Sequence, residues 1–177
     1  MVSRLVVTTN RGARSTVGLD KLIQENPFAS VPGFDHALLW GTAPTPMVPW
    51  DGRNVAAERK SILPELGGTR VMLVTYPPDS VMATPAFDPE AARVEYLARL
   101  PGLAELFEPR NPGTHTTDTI DYVIVVDGEI WLELDEGKVG PLRCGDIVVQ
   151  NGTRHAWRNR GDGPATLVFV FVGAKRA

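Results

Sequence analysis

The sequence predicts an all-β protein, a sandwich or barrel of short strands accompanied by one or two short helices. After Gly113 the chain alternates short apolar runs with turn residues at a regular spacing that is typical of such folds. A helical pattern begins at Asp88-Pro89, a good N-cap followed by a first-turn proline, and ends at Pro101-Gly102. A shorter helical segment is expected to follow through Phe107. The predicted strands of this part of the chain are 119–126, 129–134, 147–150, 154–159 and 165–172.

The chain before Pro77 contains further strands separated by loops. Leu5–Val7 and Ala37–Trp40 are the expected strands nearest the N-terminus, and a short, weak helical pattern lies between them around Leu19 to Gln24. The proline-rich stretch 42–54 predicts a loop or an extended arm. Residues 69–76 read as another strand, because the prolines that follow cannot continue a ladder.

Length and composition favour one soluble structural domain. The chain has 177 residues, a length that fits one domain. Within it we expect an N-terminal extension over 1–68 and a barrel over 69–177. A formal net charge of -3 offers no basic surface, so nucleic acid is not an expected partner. The single cysteine, Cys144, permits no internal disulfide, and the longest apolar run, 167–172, is only strand-sized. The sequence therefore predicts a cytoplasmic protein that does not enter a membrane.

A two-residue hairpin is predicted at Asp127-Gly128, because type I′ turns need positive φ at both central positions. This register would place Asp121 opposite Leu134, with both side chains facing the interior. The apolar residues Ile124 and Trp131 would then lie on the opposite face. They need a cover, either the N-terminal strands or another subunit, so a homodimer is expected.

Two histidines and one carboxylate can converge in the predicted interior. His115 has the same strand parity as Asp121, provided that the strand continues without a bulge. On a later strand His155 alternates with Trp157 and Asn159, so these three side chains share a face. A set of two histidines and one carboxylate leaves coordination positions open and is compatible with iron(II), manganese, nickel or zinc.

These residues resemble the two sequence motifs of the cupin family. In words, the motifs are Gly, five residues, His-x-His, three or four residues, Glu, six residues, Gly; and Gly, five residues, Pro-x-Gly, two residues, His, three residues, Asn. The positions that keep this spacing are His115, Asp121 and Gly128 in the first motif, and Gly152, His155 and Asn159 in the second. The resemblance covers roughly 113–171. It implies a cupin jelly-roll β-barrel with one divalent metal bound by His115, Asp121 and His155.

The sequence also departs from the family pattern. Thr117 stands where the family has its second histidine, Asp121 replaces the glutamate, and the second motif lacks its proline and is one residue shorter. Three ligands are therefore expected instead of four, with Thr117 as a hydrogen-bonding neighbour of the site. Trp157 and Asn159 are expected beside the pocket, although Trp157 suits the barrel core equally well. The alternative is a metal-free barrel in which the histidines are core residues and Asp121 pairs with an arginine.

The resemblance implies an enzyme that acts on a small organic molecule. An iron(II) site would activate oxygen, whereas zinc, nickel or manganese would polarise a carbonyl or carboxylate for isomerisation, decarboxylation or elimination. Small stand-alone cupins of bacteria and of fungal secondary-metabolite clusters share this pattern. The second hypothesis is a non-catalytic cupin that binds or senses a small molecule. Because fold does not determine function, the sequence leaves both open.

Overall fold

The computed structural model describes residues 3–58 and 60–177. The described chain contains ten strands and one α-helix, α1, with short 3-10 turns at Val55–Glu58, Asp79–Ala83 and Ala104–Leu106. The helix α1 is Pro89–Arg99. The strands are β1 (Ser3–Arg11), β2 (Arg14–Ile23), β3 (Asp35–Thr42), β4 (Thr69–Tyr76), β5 (Thr119–Asp127), β6 (Glu129–Leu134), β7 (Gly137–Arg143), β8 (Ile147–Asn151), β9 (Ala156–Arg158) and β10 (Ala165–Gly173).

Eight of these strands form two antiparallel sheets that enclose the core. One sheet has the order β3-β4-β10-β5-β8, and the other has the order β7-β6-β9. Alternate side chains of both sheets point into a shared interior, where Trp157 of β9 meets Phe169 of β10 edge to face, with ring centroids 5.8 Å apart. The all-β jelly-roll architecture expected from the sequence is confirmed.

The predicted pairing of β5 with β6 is wrong. At Gly128 the chain leaves one sheet and enters the other, so β5 pairs with β10 and β8, whereas β6 pairs with β7 and β9. Gly128 adopts a φ of +70°, and a Cβ there would clash with the carbonyl oxygen of Pro164. The interior face was nevertheless assigned correctly, since Val125 and Ile130 are both buried. Side-chain alternation belongs to each strand separately and does not depend on which strand is its neighbour.

The N-terminal extension differs from the expectation in one element. The helix predicted from the weak pattern around Leu19 to Gln24 is wrong. Most of this stretch lies in β2, which pairs with β1 along its whole length. Backbone pairing with an apolar partner strand outweighs a weak local helical preference. The strand expected at Ala37–Trp40 is confirmed within β3. Since β3 pairs with β4, the extension supplies an edge strand to the larger sheet.

The helix α1 holds the segment before β3 against the barrel. Its N-cap is Asp88, as expected, and the carboxylate accepts hydrogen bonds from the first-turn backbone. Glu95 accepts from the backbone N–H groups of Ala29 and Ser30, and the Arg99 guanidinium lies 3.8 Å from the centroid of the Phe28 ring. None of the helices in the described ranges has the length and apolar character needed to cross a membrane.

The crossover at Gly128 gives a test of the fold. Gly128→Ala should lower the free energy of unfolding by about 2–4 kcal/mol, because it adds a positive-φ penalty and a contact with the Pro164 carbonyl. Gly12→Ala is the matched control: Gly12 has φ +60, and a Cβ added there would meet no atom within 4 Å, so only the backbone penalty of about 1–2 kcal/mol applies. Urea unfolding of both variants measures the difference, and equal losses would contradict the crossover contact.

Candidate functional site

His115 and His155 meet where the two sheets adjoin. His115 precedes β5 and His155 directly precedes β9, and their backbones form an isolated antiparallel bridge. The N–H of His115 donates to the carbonyl of His155 over 2.9 Å, and the reciprocal bond is 3.0 Å long. The two imidazole rings lie with centroids 4.4 Å apart and planes inclined by 53°. The structure therefore brings these two candidate residues together.

Each imidazole is oriented by a backbone carbonyl two residues before it. Nδ1 of His115 lies 2.9 Å from the carbonyl oxygen of Gly113, and Nδ1 of His155 lies 3.0 Å from that of Thr153. Because a carbonyl oxygen only accepts hydrogen bonds, Nδ1 carries the proton in the neutral ring. The lone pair is then on Nε2 in both residues, and Nε2 is the atom available to bind a metal or accept a proton.

Both imidazoles are held in their neutral form. Burial lowers the pKa of His115. Burial, together with the neighbouring His115, lowers the pKa of His155 to about 4, and His155 is only 2% exposed. Neither ring is protonated near pH 7. Neutral imidazole is the form that coordinates a metal ion.

Asp121 is a buried carboxylate with an unsatisfied oxygen. It lies on the interior face of β5, is 2% exposed, and its Oδ1 has no hydrogen-bond partner among the described residues. Burial raises the pKa of its carboxyl to about 6, a shift that is partly opposed by the Thr119 hydroxyl. No arginine of the described ranges forms an ion pair with it. The carboxylate is thus ionised near pH 7 in a site that disfavours its charge.

The three candidate ligands are not gathered into one compact set. Asp121 lies opposite Gln150 of β8 and Phe171 of β10, on the same interior face as Thr117 and Thr119. Within 3–58 and 60–177, no group of three or more His, Cys, Asp or Glu side chains has an arrangement that could hold a metal ion. The structure therefore supplies a preformed pair of imidazoles and, separately, a buried carboxylate on the same interior surface.

Thr117 and Trp157 lie in the buried interior near this pair. The Thr117 hydroxyl accepts a hydrogen bond of 2.8 Å from Thr119, so it belongs to a short chain of hydroxyl groups on the β5 side. The Trp157 ring packs edge-on against His155, with centroids 6.2 Å apart. Its indole Nε1 is buried and meets no acceptor among the described residues. Trp157 thus offers an unused donor in otherwise apolar surroundings.

Asn159 connects loops at the end of the barrel. Its side-chain Nδ2 donates to the carbonyl groups of Tyr76 and Gly163, over 3.0 and 2.8 Å, and its Oδ1 accepts from the N–H of Gly161. Its backbone N–H donates to the carboxylate of Asp79. Each of its polar side-chain atoms is therefore engaged with backbone, and Asn159 fixes the chain that follows His155 and Trp157.

Two residues near the site carried no signal in the sequence. The Phe107 ring lies 5.3 Å from the ring of His115 and closes one side of the pair. Arg176 donates to the carbonyl of Thr117 over 2.9 Å and to that of Gly152 over 3.3 Å, so it connects the two chain segments that present the histidines. Because its partners are distant in sequence, no local motif could have identified it.

Comparisons with known proteins agree with this architecture. Residues 106–171, which contain all six candidate residues, match the family model described as "Cupin domain". The chain is 50% identical over 62 residues to the phomopsin biosynthesis cluster protein C' of Diaporthe leptostromiformis, covering 34% of this chain and 33% of the relative. It is 36% identical over 104 residues to the oryzines biosynthesis cluster protein J of Aspergillus oryzae, covering 58% of this chain and 50% of the relative.

A third relative carries an activity in its name. The cupin-domain-containing oxidoreductase virC of Hypocrea virens is 38% identical over 64 residues, which cover 34% of this chain and 33% of the relative. The chain therefore spans between a third and a half of the length of these relatives. At residues 106–171, the chain is thus similar to the cupin domain, the family that its motif spacing resembles.

Proposed function

We propose that the protein is a metal-dependent oxidoreductase that acts on a small organic molecule inside the barrel. The observation that carries the proposal is the pair of neutral imidazoles, each with Nδ1 bound to a carbonyl and Nε2 left to coordinate. The ligands of the metal ion would be the imidazoles of His115 and His155 and the carboxylate of Asp121. One divalent ion, iron, zinc, nickel or manganese, would supply Lewis-acid or redox chemistry there.

The donor set suits a divalent cation. The two imidazoles are kept neutral by burial, so a cation meets no positive charge that must first be displaced. Oδ1 of Asp121 has no hydrogen-bond partner among the described residues, so the negative charge of the carboxylate is not compensated there. A nearby cation would compensate this charge. Thr117, where the family pattern has a second histidine, is already engaged by the Thr119 hydroxyl, which argues against a role as ligand.

The side chains around the imidazoles favour a largely apolar substrate. Trp157, Phe169 and Phe171 form a succession of ring contacts leading away from His155, and Phe107 lies on the other side of His115. Apolar rings beside the imidazoles would exclude water, so that a small molecule is oriented by a few polar contacts. The indole N–H of Trp157 is one donor available for that purpose.

The relatives support the reaction class. One is named an oxidoreductase, and two are named as products of biosynthesis clusters for phomopsin and oryzines. A role in oxidising or otherwise modifying an intermediate of small-molecule biosynthesis follows for this chain as part of the proposal.

One observation favours a second candidate, a metal-free cupin that binds a small molecule without reaction. In the described part of the chain Asp121 does not combine with the two histidines into a three-ligand cluster. In that case Nε2 of each histidine and the indole of Trp157 would bind the ligand by hydrogen bonds. Metal analysis separates the two candidates.

Metal content is the first measurement. Protein reconstituted anaerobically with iron(II), zinc, nickel or manganese in turn should retain about one ion per chain with at least one of them, and His115→Ala or His155→Ala should lose it. His36→Gln is the matched control, since His36 is the remaining histidine of the sequence and lies beside Phe28, outside the pair. A wild-type chain that retains none of the four metals would exclude the metalloenzyme.

A second prediction concerns the cost of keeping Asp121 ionised. A carboxyl whose folded pKa is raised to about 6 keeps a proton that the unfolded chain has already lost. Stability is therefore lost as the pH rises from about 4 to about 6. In metal-free protein at pH 7, Asp121→Asn should raise the free energy of unfolding by about 1–3 kcal/mol, and the gain should shrink towards pH 4.

Urea unfolding across this pH range, without and with metal, makes the measurement. Bound metal should reverse the order, because the wild-type carboxylate gains a cation that the amide binds poorly. Asp162→Asn, in an exposed loop, serves as the control and should change stability by less than about 0.5 kcal/mol at every pH. A destabilised Asp121→Asn at pH 7 without metal would contradict the account of an uncompensated carboxylate.

A further inference from the structure

Arg70 is a buried cation on the interior face of β4. It is 8% exposed and shares the inward side of the strand with Met72 and Val74, which belong to the barrel core. Among the residues that the structure describes, 3–58 and 60–177, no other arginine or lysine is buried. Burial of an isolated cation costs free energy unless a partner compensates its charge.

One nitrogen of the Arg70 guanidinium is bound by backbone. Nη1 donates to the carbonyl of Thr69 over 2.8 Å, with a longer contact of 3.5 Å to the carbonyl of Thr42. The residue opposite Arg70 on β3 is Gly41, where a side chain would collide with Cδ and Nη1 of Arg70. Gly41 therefore leaves room for the guanidinium to lie against the sheet in one orientation.

The edge of the guanidinium formed by Nε and Nη2 has no partner in the described part of the chain. Nε is buried without a hydrogen bond, and Nη2 donates to no acceptor there. No carboxylate of these residues forms an ion pair with Arg70. Burial lowers the pKa of the guanidinium, and the carboxylates of Glu65 and Glu58 oppose this shift only in part.

Other arginines of this chain bind carboxylates through the same edge. Nε and Nη2 of Arg93 each donate to one carboxylate oxygen of Glu90. Arg154 binds Glu108 in the same way. The planar fork of two N–H donors matches the two oxygens of a carboxylate, which makes such pairs strong and directional. At Arg70 this edge is directed into the interior without a carboxylate from the described chain.

The strand register places Arg70 in line with the candidate site. Arg70 of β4 lies opposite Phe171 of β10, which in turn lies opposite Asp121 of β5. Two strand spacings of about 4.8 Å put the Cα atoms of Arg70 and Asp121 roughly 10 Å apart. The succession of ring contacts that begins at His155 ends at Phe171. Aromatic rings thus connect the imidazoles with the row of side chains that contains Arg70.

We infer that Arg70 binds the carboxylate of the small molecule that occupies the barrel, so that the ligand is an apolar organic acid. The carboxylate would accept hydrogen bonds from Nε and Nη2, and the apolar body would pack against Phe171. The end remote from the carboxylate would lie towards the imidazoles of His115 and His155. The inference rests on the proposed function only in placing a small-molecule site inside the barrel, and it requires no metal.

Binding of matched acids and amides to metal-free protein tests the inference. Phenylacetate, phenylpropanoate and phenylbutanoate would be titrated near pH 7 beside their primary amides, with binding followed by NMR. At least one acid should bind the wild type about 10-fold or more tightly than its amide, because only the acid forms charge-assisted hydrogen bonds. Arg70→Gln should weaken the acid to the level of the amide and leave the amide unchanged. Arg70→Lys should keep part of the preference, because it keeps the charge and loses the fork.

The matched control is Arg93→Gln, which removes an exposed arginine whose Nε and Nη2 are already bound, and it should keep the preference of the wild type. Circular dichroism verifies the fold of each variant, and Arg70→Lys decides if Arg70→Gln does not fold. Equal affinity of the wild type for acid and amide, failure of all three acids to bind it, or a full preference in the Arg70 variants overturns the inference. A chain that binds no metal and still prefers the acid contradicts the proposed metalloenzyme and leaves the role of Arg70 intact.

Discussion

The two backbone hydrogen bonds between His115 and His155 determine where the site can be. His115 leads into β5 of the five-stranded sheet and His155 into β9 of the three-stranded sheet, so the bridge ties the two sheets together at one point. Antiparallel pairing sets the separation of the opposed residues, and the i-2 carbonyls set the ring orientation. The imidazoles are thus positioned by main chain, and Arg176 reinforces both flanking segments.

The sequence predicts much of this arrangement because alternation along a strand is a local property. The predicted buried positions around Val125 and Ile130 are buried although β5 and β6 are not neighbours. Which strands pair depends on where the chain crosses from one sheet to the other. An Asp-Gly turn is compatible with either a hairpin or such a crossover, and at Gly128 it forms the crossover. The contacts of Arg176 join residues far apart in the chain, and no periodic pattern reports such contacts.

The candidate site was predictable in its imidazoles and less so in its carboxylate. Motif spacing identifies His115 and His155, and the backbone bridge explains why the spacing matters. Asp121 shares their interior surface, as parity predicts, but the structure gives it an unpartnered oxygen and no place in a three-ligand cluster of the described residues. Strand β5 begins only at Thr119, so His115 and Asp121 do not lie on one continuous strand. Strand parity therefore does not determine whether their side chains converge.

An uncompensated carboxylate in the interior lowers stability, and selection for stability alone would replace it with an amide or an apolar residue. The same holds for the indole N–H of Trp157, which meets no acceptor among the described residues. Trp157 packs against His155, one of two neutral imidazoles whose Nε2 atoms are likewise without a protein partner in the hydrogen bonds of the site. Acceptors, a donor and a negative charge left unused in the barrel interior support the proposed function, because a ligand bound there would satisfy them.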